Sequence, residues 1–191
     1  MQDTIVHTLE DLRASSGKIV ITTHHKPDGD AMGSSLGLYH LLKNAGIDSQ
    51  VITPTDYAEF LHWLPGNDTV MVYEADKPKS KELINAAEYI FCLDFNALGR
   101  INEMGDYIQH SDAKIVMIDH HQDPQDFDHE RFVEIGASST CELIYKYAHK
   151  HLDASYMNKD MGECIYTGLI TDTGSFRFGS TTSSTIRTAA D

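Results

Sequence analysis

The amino-acid sequence predicts an α/β domain in which a mostly parallel sheet is covered by helices on both faces. Two observations carry that expectation. Apolar strand-like runs alternate with helix-like segments, the order that crossover helices between parallel strands require. Three of the runs, Ile19-Val20-Ile21, Tyr89-Ile90-Phe91-Cys92-Leu93 and Ile115-Val116-Met117-Ile118, lead into clusters of acids and histidines. Ligands of open α/β sheets bind outside the carboxyl ends of the strands. With 191 residues, 41% hydrophobic and 23% charged, the chain can bury one full core, or one and a fraction.

The elements follow in order. Residues 3–15 read as a short amphipathic helix that closes near Gly17, and residues 18–22 as a buried strand. Residues 31–45 form a helix with Ala31, Leu38, Leu42 and Ala45 on one face, and Gly46 is its C′ stop. Residues 50–53 are a second strand, followed by a polar turn with Pro54 and Asp56. Residues 69–73 are a third strand and 80–87 a helix. Residues 89–94 and 114–119 are strands, with a broken helical stretch at 97–110 between them. The polar run His121-Gln122-Asp123-Pro124-Gln125-Asp126 is a loop, because Phe132-Val133 resumes a strand. Ser139-Thr140-Cys141-Glu142 fits a capping box and opens a helix to about His151. A further helix over 158–170 aligns Met161, Ile165 and Leu169. Residues 185–191 read as the start of a helix with no packing partner evident, which suggests a domain excised from a longer protein.

Bulk properties exclude some roles. A net charge of −14 argues against a surface that coats long DNA, which should be basic. It leaves phosphate chemistry open, since bound divalent cations dominate the local field of a site. The three cysteines, Cys92, Cys141 and Cys164, have apolar neighbours and no CxxC spacing, so they read as buried thiols in a reducing compartment. No signal peptide and no apolar run of membrane-spanning length is visible. The expectation is a cytoplasmic protein without membrane partners.

The chemistry lies in four clusters: His24-His25-Lys26-Pro27-Asp28-Gly29-Asp30, Asp94, Asp119-His120-His121, and Asp172, which closes Gly168-Leu169-Ile170-Thr171. Imidazole with several carboxylates suits a hard-to-borderline divalent cation, Mn²⁺ rather than a closed zinc site. The glycine between Asp28 and Asp30 permits close approach and unusual dihedrals, so the two carboxylates can address two cations. Asp30 also sits where a helix begins, a place that favours anions. Taken singly, each piece reads more readily as a turn, an N-cap or a surface residue than as a ligand; jointly they supply one ligand set. Spacing favours His24 over His25. Arg100 and Arg177 suit phosphate recognition, and a structural pairing with one of the 29 acids is an equal reading for both. The hydroxyls of Ser138, Ser139 and Thr140 lie near the third cluster, although helix capping accounts for the serine and glutamate. The other histidines are assigned to surface or core.

In HHKPDGDAMGSSLG, CLDFNALGR, IDHHQ and GLITDTGSFRF, taken in order over nearly the whole chain, the sequence resembles the DHH phosphoesterase superfamily. The nearest likeness is to its bacterial NrnA-type branch of oligoribonucleases and 3′-phosphoadenosine 5′-phosphate phosphatases. The resemblance implies two Mn²⁺ ions, with Co²⁺ or Mg²⁺ as substitutes. One would be held by His24, Asp28 and Asp94, the other by Asp30, Asp94, His120 and Asp172. Asp94 and a water or hydroxide would bridge, and His121 would face the substrate phosphate, so that Asp94 and His121 are the catalytic pair. It also implies residues 1–185 as the catalytic metal-binding domain and 186–191 as the start of a linker helix. The family's C-terminal DHH-associated domain, with its glycine-rich substrate motif, is missing from the sequence, so the chain alone is expected to bind metal yet act weakly or not at all.

The expected function is Mn²⁺-dependent hydrolysis of short oligonucleotides or dinucleotides to mononucleotides, accompanied by phosphatase action on a nucleotide 3′,5′-bisphosphate. A family II inorganic pyrophosphatase and a non-catalytic metal- or nucleotide-sensing domain are the alternatives. The oligomeric state is left open, a homodimer included.

Overall fold

A computed structural model describes residues 1–15 and 17–191. Seven strands form one sheet: β1 (Gln2–Asp3), β2 (Lys18–Thr22), β3 (Ser49–Thr53), β4 (Met71–Val72), β5 (Ala87–Leu93), β6 (Lys114–Asp119) and β7 (Glu130–Val133). Their spatial order is β1-β7-β6-β5-β2-β3-β4. Every neighbouring pair is parallel except β1 with β7. The helices are α1 (Leu9–Ala14), α2 (Gly29–Asn44), α3 (Lys77–Asn85), α4 (Met104–Gln109), α5 (Thr140–His151), α6 (Lys159–Asp172) and α7 (Ser183–Ala190).

Strand alternation divides the core. Ile19, Ile21, Phe91, Leu93, Val116 and Ile118 face α1, α2, α5 and α6, whereas Val20, Ile90, Cys92 and Ile115 face α3 and α4. Strands buried on both faces must be apolar at successive positions, and β2, β5 and β6 are. The mostly parallel, doubly covered sheet expected from the sequence is therefore present. From β2 the chain builds outward to β3 and β4; it then returns to place β5 on the other side of β2 and continues to β6 and β7. The β2/β5 boundary is thus a topological switch point, where a crevice opens at the carboxyl edge.

The stop of α2 forms as expected. Gly46 takes φ 78°, and the amides of Gly46 and Ile47 donate to the carbonyls of Lys43 and Leu42 at 3.0 and 2.9 Å, a Schellman closure. Several expectations need correction. Residues 3–15 are not one helix: Gln2 and Asp3 pair with Val133 and Phe132, and the helix starts only after Thr8, which forms a capping box with Asp11. The third strand shrinks to two residues because a 3₁₀ turn occupies Asn67–Thr69. Helix α3 starts and ends earlier than expected, capped by Asp76, since Ala87 already belongs to β5. The box expected at Ser139 is half formed. Ser139 Oγ accepts from Glu142 N at 3.1 Å, but the Glu142 carboxylate accepts instead from Ser138 N and Oγ at 3.1 and 2.7 Å. Helix α7 has partners: it is capped by Thr182, and it packs against α5 and α6.

Candidate metal centre

The site gathers at the carboxyl edge around the β2/β5 boundary. His24 follows β2 by two residues and leads into the loop that ends at Asp28, the N-cap of α2. Asp28 Oδ1 accepts from the amides of Asp30 and Ala31, both at 3.0 Å. Gly29 is required by space rather than by an unusual dihedral: its φ is not positive, and a Cβ there would lie 2.4 Å from Thr171 Oγ1 of α6. Asp94 N still donates to Ile118 O across the sheet at 3.1 Å. At Asp94 the backbone then turns left-handed, with φ 64°, which Asp tolerates better than most residues. The turn ends the strand and leaves the carboxylate buried at 2% exposure.

Three overlapping groups result, each with its ligand atoms within 4.8 Å of one another: His24, Asp28 and Asp94; Asp94, His120 and His121; and Asp30, His120 and Asp172. His24 Nε2 lies 3.4 Å from Asp94 Oδ2 and 3.9 Å from Asp28 Oδ1. His120 Nε2 lies 3.8, 3.6 and 3.5 Å from carboxylate oxygens of Asp30, Asp94 and Asp172. All six residues expected as ligands, and His121, are brought together. Asp172 arrives on the last turn of α6 rather than on a strand.

The imidazoles are oriented from behind. Nδ1 of His24 meets His25 O at 2.9 Å, Nδ1 of His120 meets Ala137 O at 3.3 Å, and Nδ1 of His121 meets Asp119 Oδ1 at 2.7 Å. A carbonyl or carboxylate only accepts, so each Nδ1 carries a proton, and in the neutral ring Nε2 is the atom left with a lone pair for a cation. Asp119 is fully buried. His25 turns away, its Nδ1 at 3.0 Å from Arg100 O.

The carboxylates are cradled by the N-terminus of α5. Thr140 N and Cys141 N donate to the two oxygens of Asp30 at 2.6 and 2.8 Å, and Thr140 Oγ1 donates to Asp94 Oδ1 at 2.9 Å. A helix N-terminus favours negative charge. Gly168 of α6 lets these parts close up, because a Cβ there would lie 2.2 Å from Cys141 Sγ and 2.8 Å from Asp30 Oδ1. Thr140 and Gly168 escaped the sequence reading. The sequence places the Thr140 hydroxyl near the third cluster without giving it a partner, and only its position beside Asp94 distinguishes it from any helix-start threonine.

The charge balance calls for a cation. Burial, then the charges of Asp94 and Asp172, push the Asp30 carboxyl well above the ordinary carboxylate range. Burial also raises Asp172, against the pull of His120. Asp94 goes the other way: burial opposes its ionisation, yet His24, His120 and His121 together hold it below the ordinary value. His24 is raised, burial being outweighed by Asp94, and His121 is raised chiefly by its hydrogen bond to Asp119. Four carboxylates converge here with no lysine or arginine among the ion pairs they form. Borderline imidazole nitrogens and hard oxygens facing one another fit a divalent cation such as Mn²⁺.

Residues 18–169 match the model described as the DHH family, N-terminal domain. The chain belongs to the DHH family. The bifunctional oligoribonuclease and PAP phosphatase NrnA of Thermus thermophilus is 32% identical over 182 residues, 95% of this chain and 51% of that protein. The protein of the same description from Bacillus subtilis is 29% identical over 177 residues, 91% of this chain and 51% of that one. A crystal structure of an exopolyphosphatase-related protein from Bacteroides fragilis matches with a TM-score of 0.89 and 41% identity, over 91% of this chain and 51% of that chain. The chain thus spans about half the length of the curated relatives it matches.

The two arginines differ. Arg100 acts on His121 through its charge and so borders the centre, while its carbonyl accepts from His25 N at 2.8 Å. Arg177 is exposed and its Nε donates to Gly174 O at 2.7 Å within its own turn, so no described contact brings it to the cluster. Among the described residues, no helix is long and apolar enough to cross a membrane.

Proposed function

We infer that this chain carries the centre of a two-cation phosphoesterase acting on short oligonucleotides or dinucleotides, with a nucleotide 3′,5′-bisphosphate as a second substrate. The observation that carries the reading is the sharing of buried Asp94 by two ligand groups, one with His24 and Asp28 and one with His120 and His121. His24, Asp28 and Asp94 would hold one Mn²⁺, and Asp30, Asp94, His120 and Asp172 the other. Bound there, such a pair supplies Lewis-acid stabilisation of phosphoryl charge and ionised water near neutral pH. The chain's own groups do the rest. Thr140 and the amides of α5 hold the carboxylates in place. Asp119 holds Nδ1 of His121 and raises the proton affinity of the ring, so that a protonated Nε2 can donate to a phosphate oxygen, and Arg100 adds positive charge at the border. The curated relatives, described as oligoribonuclease and PAP phosphatase, support this substrate class over inorganic pyrophosphate or a sensing role without turnover.

The test is a panel of dinucleotides, short oligoribonucleotides, nucleotide bisphosphate and pyrophosphate, on the whole protein with Mn²⁺ and with a chelator. Metal-dependent release of mononucleotides is expected. Preferential pyrophosphate hydrolysis, or tight Mn²⁺ binding without hydrolysis of any ester, overturns the reading.

A further inference from the structure

The connection between β3 and β4, residues 54–70, leaves the sheet at the same carboxyl edge as the metal centre. It starts at the rim: Thr55 Oγ1 accepts from the amide of Lys26 at 2.7 Å, two residues from His24. It ends against α2, where Pro65 O meets His40 Nε2 at 2.9 Å and Gly66, with φ 83°, packs on Leu36, Tyr39 and His40. At 1.5 Å per residue, Leu36 and His40 lie roughly 12 and 18 Å along the helix from the Asp28 cap. The connection therefore descends from the centre along α2 over a span that suits a dinucleotide.

This segment is firmly anchored. Leu61 and Leu64 are buried in the core at 1% and 2% exposure, and Tyr57 donates to Asn67 Oδ1 at 2.6 Å. Between these anchors Phe60 and Trp63 are held outward, 66% and 60% exposed. Large aromatics fixed in water on a well-packed segment mark a contact surface. Two such rings, each burying ~150–250 Å² at most, fall well short of the ~800 Å² per partner of a stable protein interface. Their flat faces do match a nucleobase, because base–aromatic stacking tolerates any base. Exposed Lys26, whose amide holds Thr55 at the start of the connection, suits the intervening phosphate.

We propose that Phe60 and Trp63 stack the base of a nucleotide whose phosphate enters the metal centre, so that the site selects esters carrying an unpaired base over base-free phosphates. This rests on the phosphoesterase reading above, and the following experiment separates the two.

Trp63 is the single tryptophan of this chain, so the part of the quenching that is lost in the Trp63→Phe variant reports on the platform. The whole protein with Mn²⁺ is titrated with a phosphorothioate-linked diadenosine dinucleotide and, separately, with ribose 5-phosphate. Saturable quenching by the dinucleotide and none by ribose 5-phosphate is expected. In turnover of the ordinary dinucleotide, Trp63→Ala and Phe60→Ala should each raise KM by roughly 5- to 150-fold with kcat nearly unchanged, and Trp63→Phe should restore most of the loss. Hydrolysis without quenching, with KM unmoved in both alanine variants, overturns the platform and leaves the phosphoesterase reading standing. Equal quenching by ribose 5-phosphate also overturns it. Quenching by the dinucleotide without hydrolysis of any ester supports the platform and removes the phosphoesterase reading.

Discussion

Thr140→Val is the substitution that isolates the α5 cradle. It keeps the shape of the side chain and the amide that donates to Asp30 at 2.6 Å, and it removes one hydrogen bond, Oγ1 to Asp94 Oδ1 at 2.9 Å. No nearby group replaces it, since His120 Nε2 and His121 Nδ1 stand 3.6 and 3.7 Å from that oxygen, beyond hydrogen-bond range. A hydrogen bond to a charged group contributes about 1.5–3 kcal/mol, which corresponds to roughly 10- to 150-fold in an equilibrium constant. Loss of a partner that orients a ligand typically weakens metal binding by about 10- to 100-fold, so the two routes agree. Calorimetric titration of the metal-free protein with Mn²⁺ should therefore show both steps weakened by that order. If Asp94 serves both cations, neither step escapes. Thr140→Ser keeps the hydroxyl and should bind within about threefold of the unsubstituted protein. Thr140→Val with unchanged affinity for both cations would refute the claim that α5 positions Asp94.

Asp94→Ala should abolish binding of both cations, and calorimetry that still finds two sites removes the bridging role. His24 and Asp30 both have raised affinities for protons, and a cation needs both free of them. Mn²⁺ binding should therefore release protons and strengthen as pH rises through and above the ordinary histidine value of 6.5; binding enthalpies that do not vary with buffer ionisation enthalpy count against this. Glu142, 1% exposed, is held at about 2 by Lys146 and Ser138 against the opposing effect of burial. A depressed carboxyl stabilises the fold above its unfolded value and loses that contribution as pH falls through the range from about 4.5 to 2, so Glu142→Gln should cost on the order of 2–3 kcal/mol at pH 6 and far less at pH 2; an equal urea-midpoint difference at both pH values contradicts it. Gly168→Ala forces a methyl onto Cys141 Sγ and Asp30, both buried, and should lower stability by about 1–3 kcal/mol or more, which a thermal melt reads directly.

Much of the fold is legible because its signals are local. The runs of β2, β5 and β6 are apolar at successive positions, and only strands covered on both faces ask for that. Gly46 marks the end of α2 because the closure needs a left-handed residue there. Errors fall where a distant partner decides. Gln2 and Asp3 become a strand because β7 offers them a ladder, and a helix over 3–15 looks equally good until that edge is seen. Glu142 leaves its own helix cap for Ser138, and the same carboxylate oxygen accepts from Thr185 of α7 at 3.0 Å, from 43 residues away, a partner no local pattern announces.

The identity of the acids and imidazoles, their order, and the attachment of three of the four clusters to strand ends are fixed by the chain itself. Which of them share a cation is not, because that depends on β5 inserting beside β2 and on α5 and α6 closing over the edge. His24 stays beside Asp94 through strand order, Asp30 is cradled through the placement of α5, and Asp172 comes in on a helix. Periodicity along a chain encodes which face a residue takes, a matter of a few neighbours. The few ångströms between ligand atoms are set by packing between elements whose ligands lie from 26 (Asp94 to His120) to 142 (Asp30 to Asp172) residues apart in the sequence.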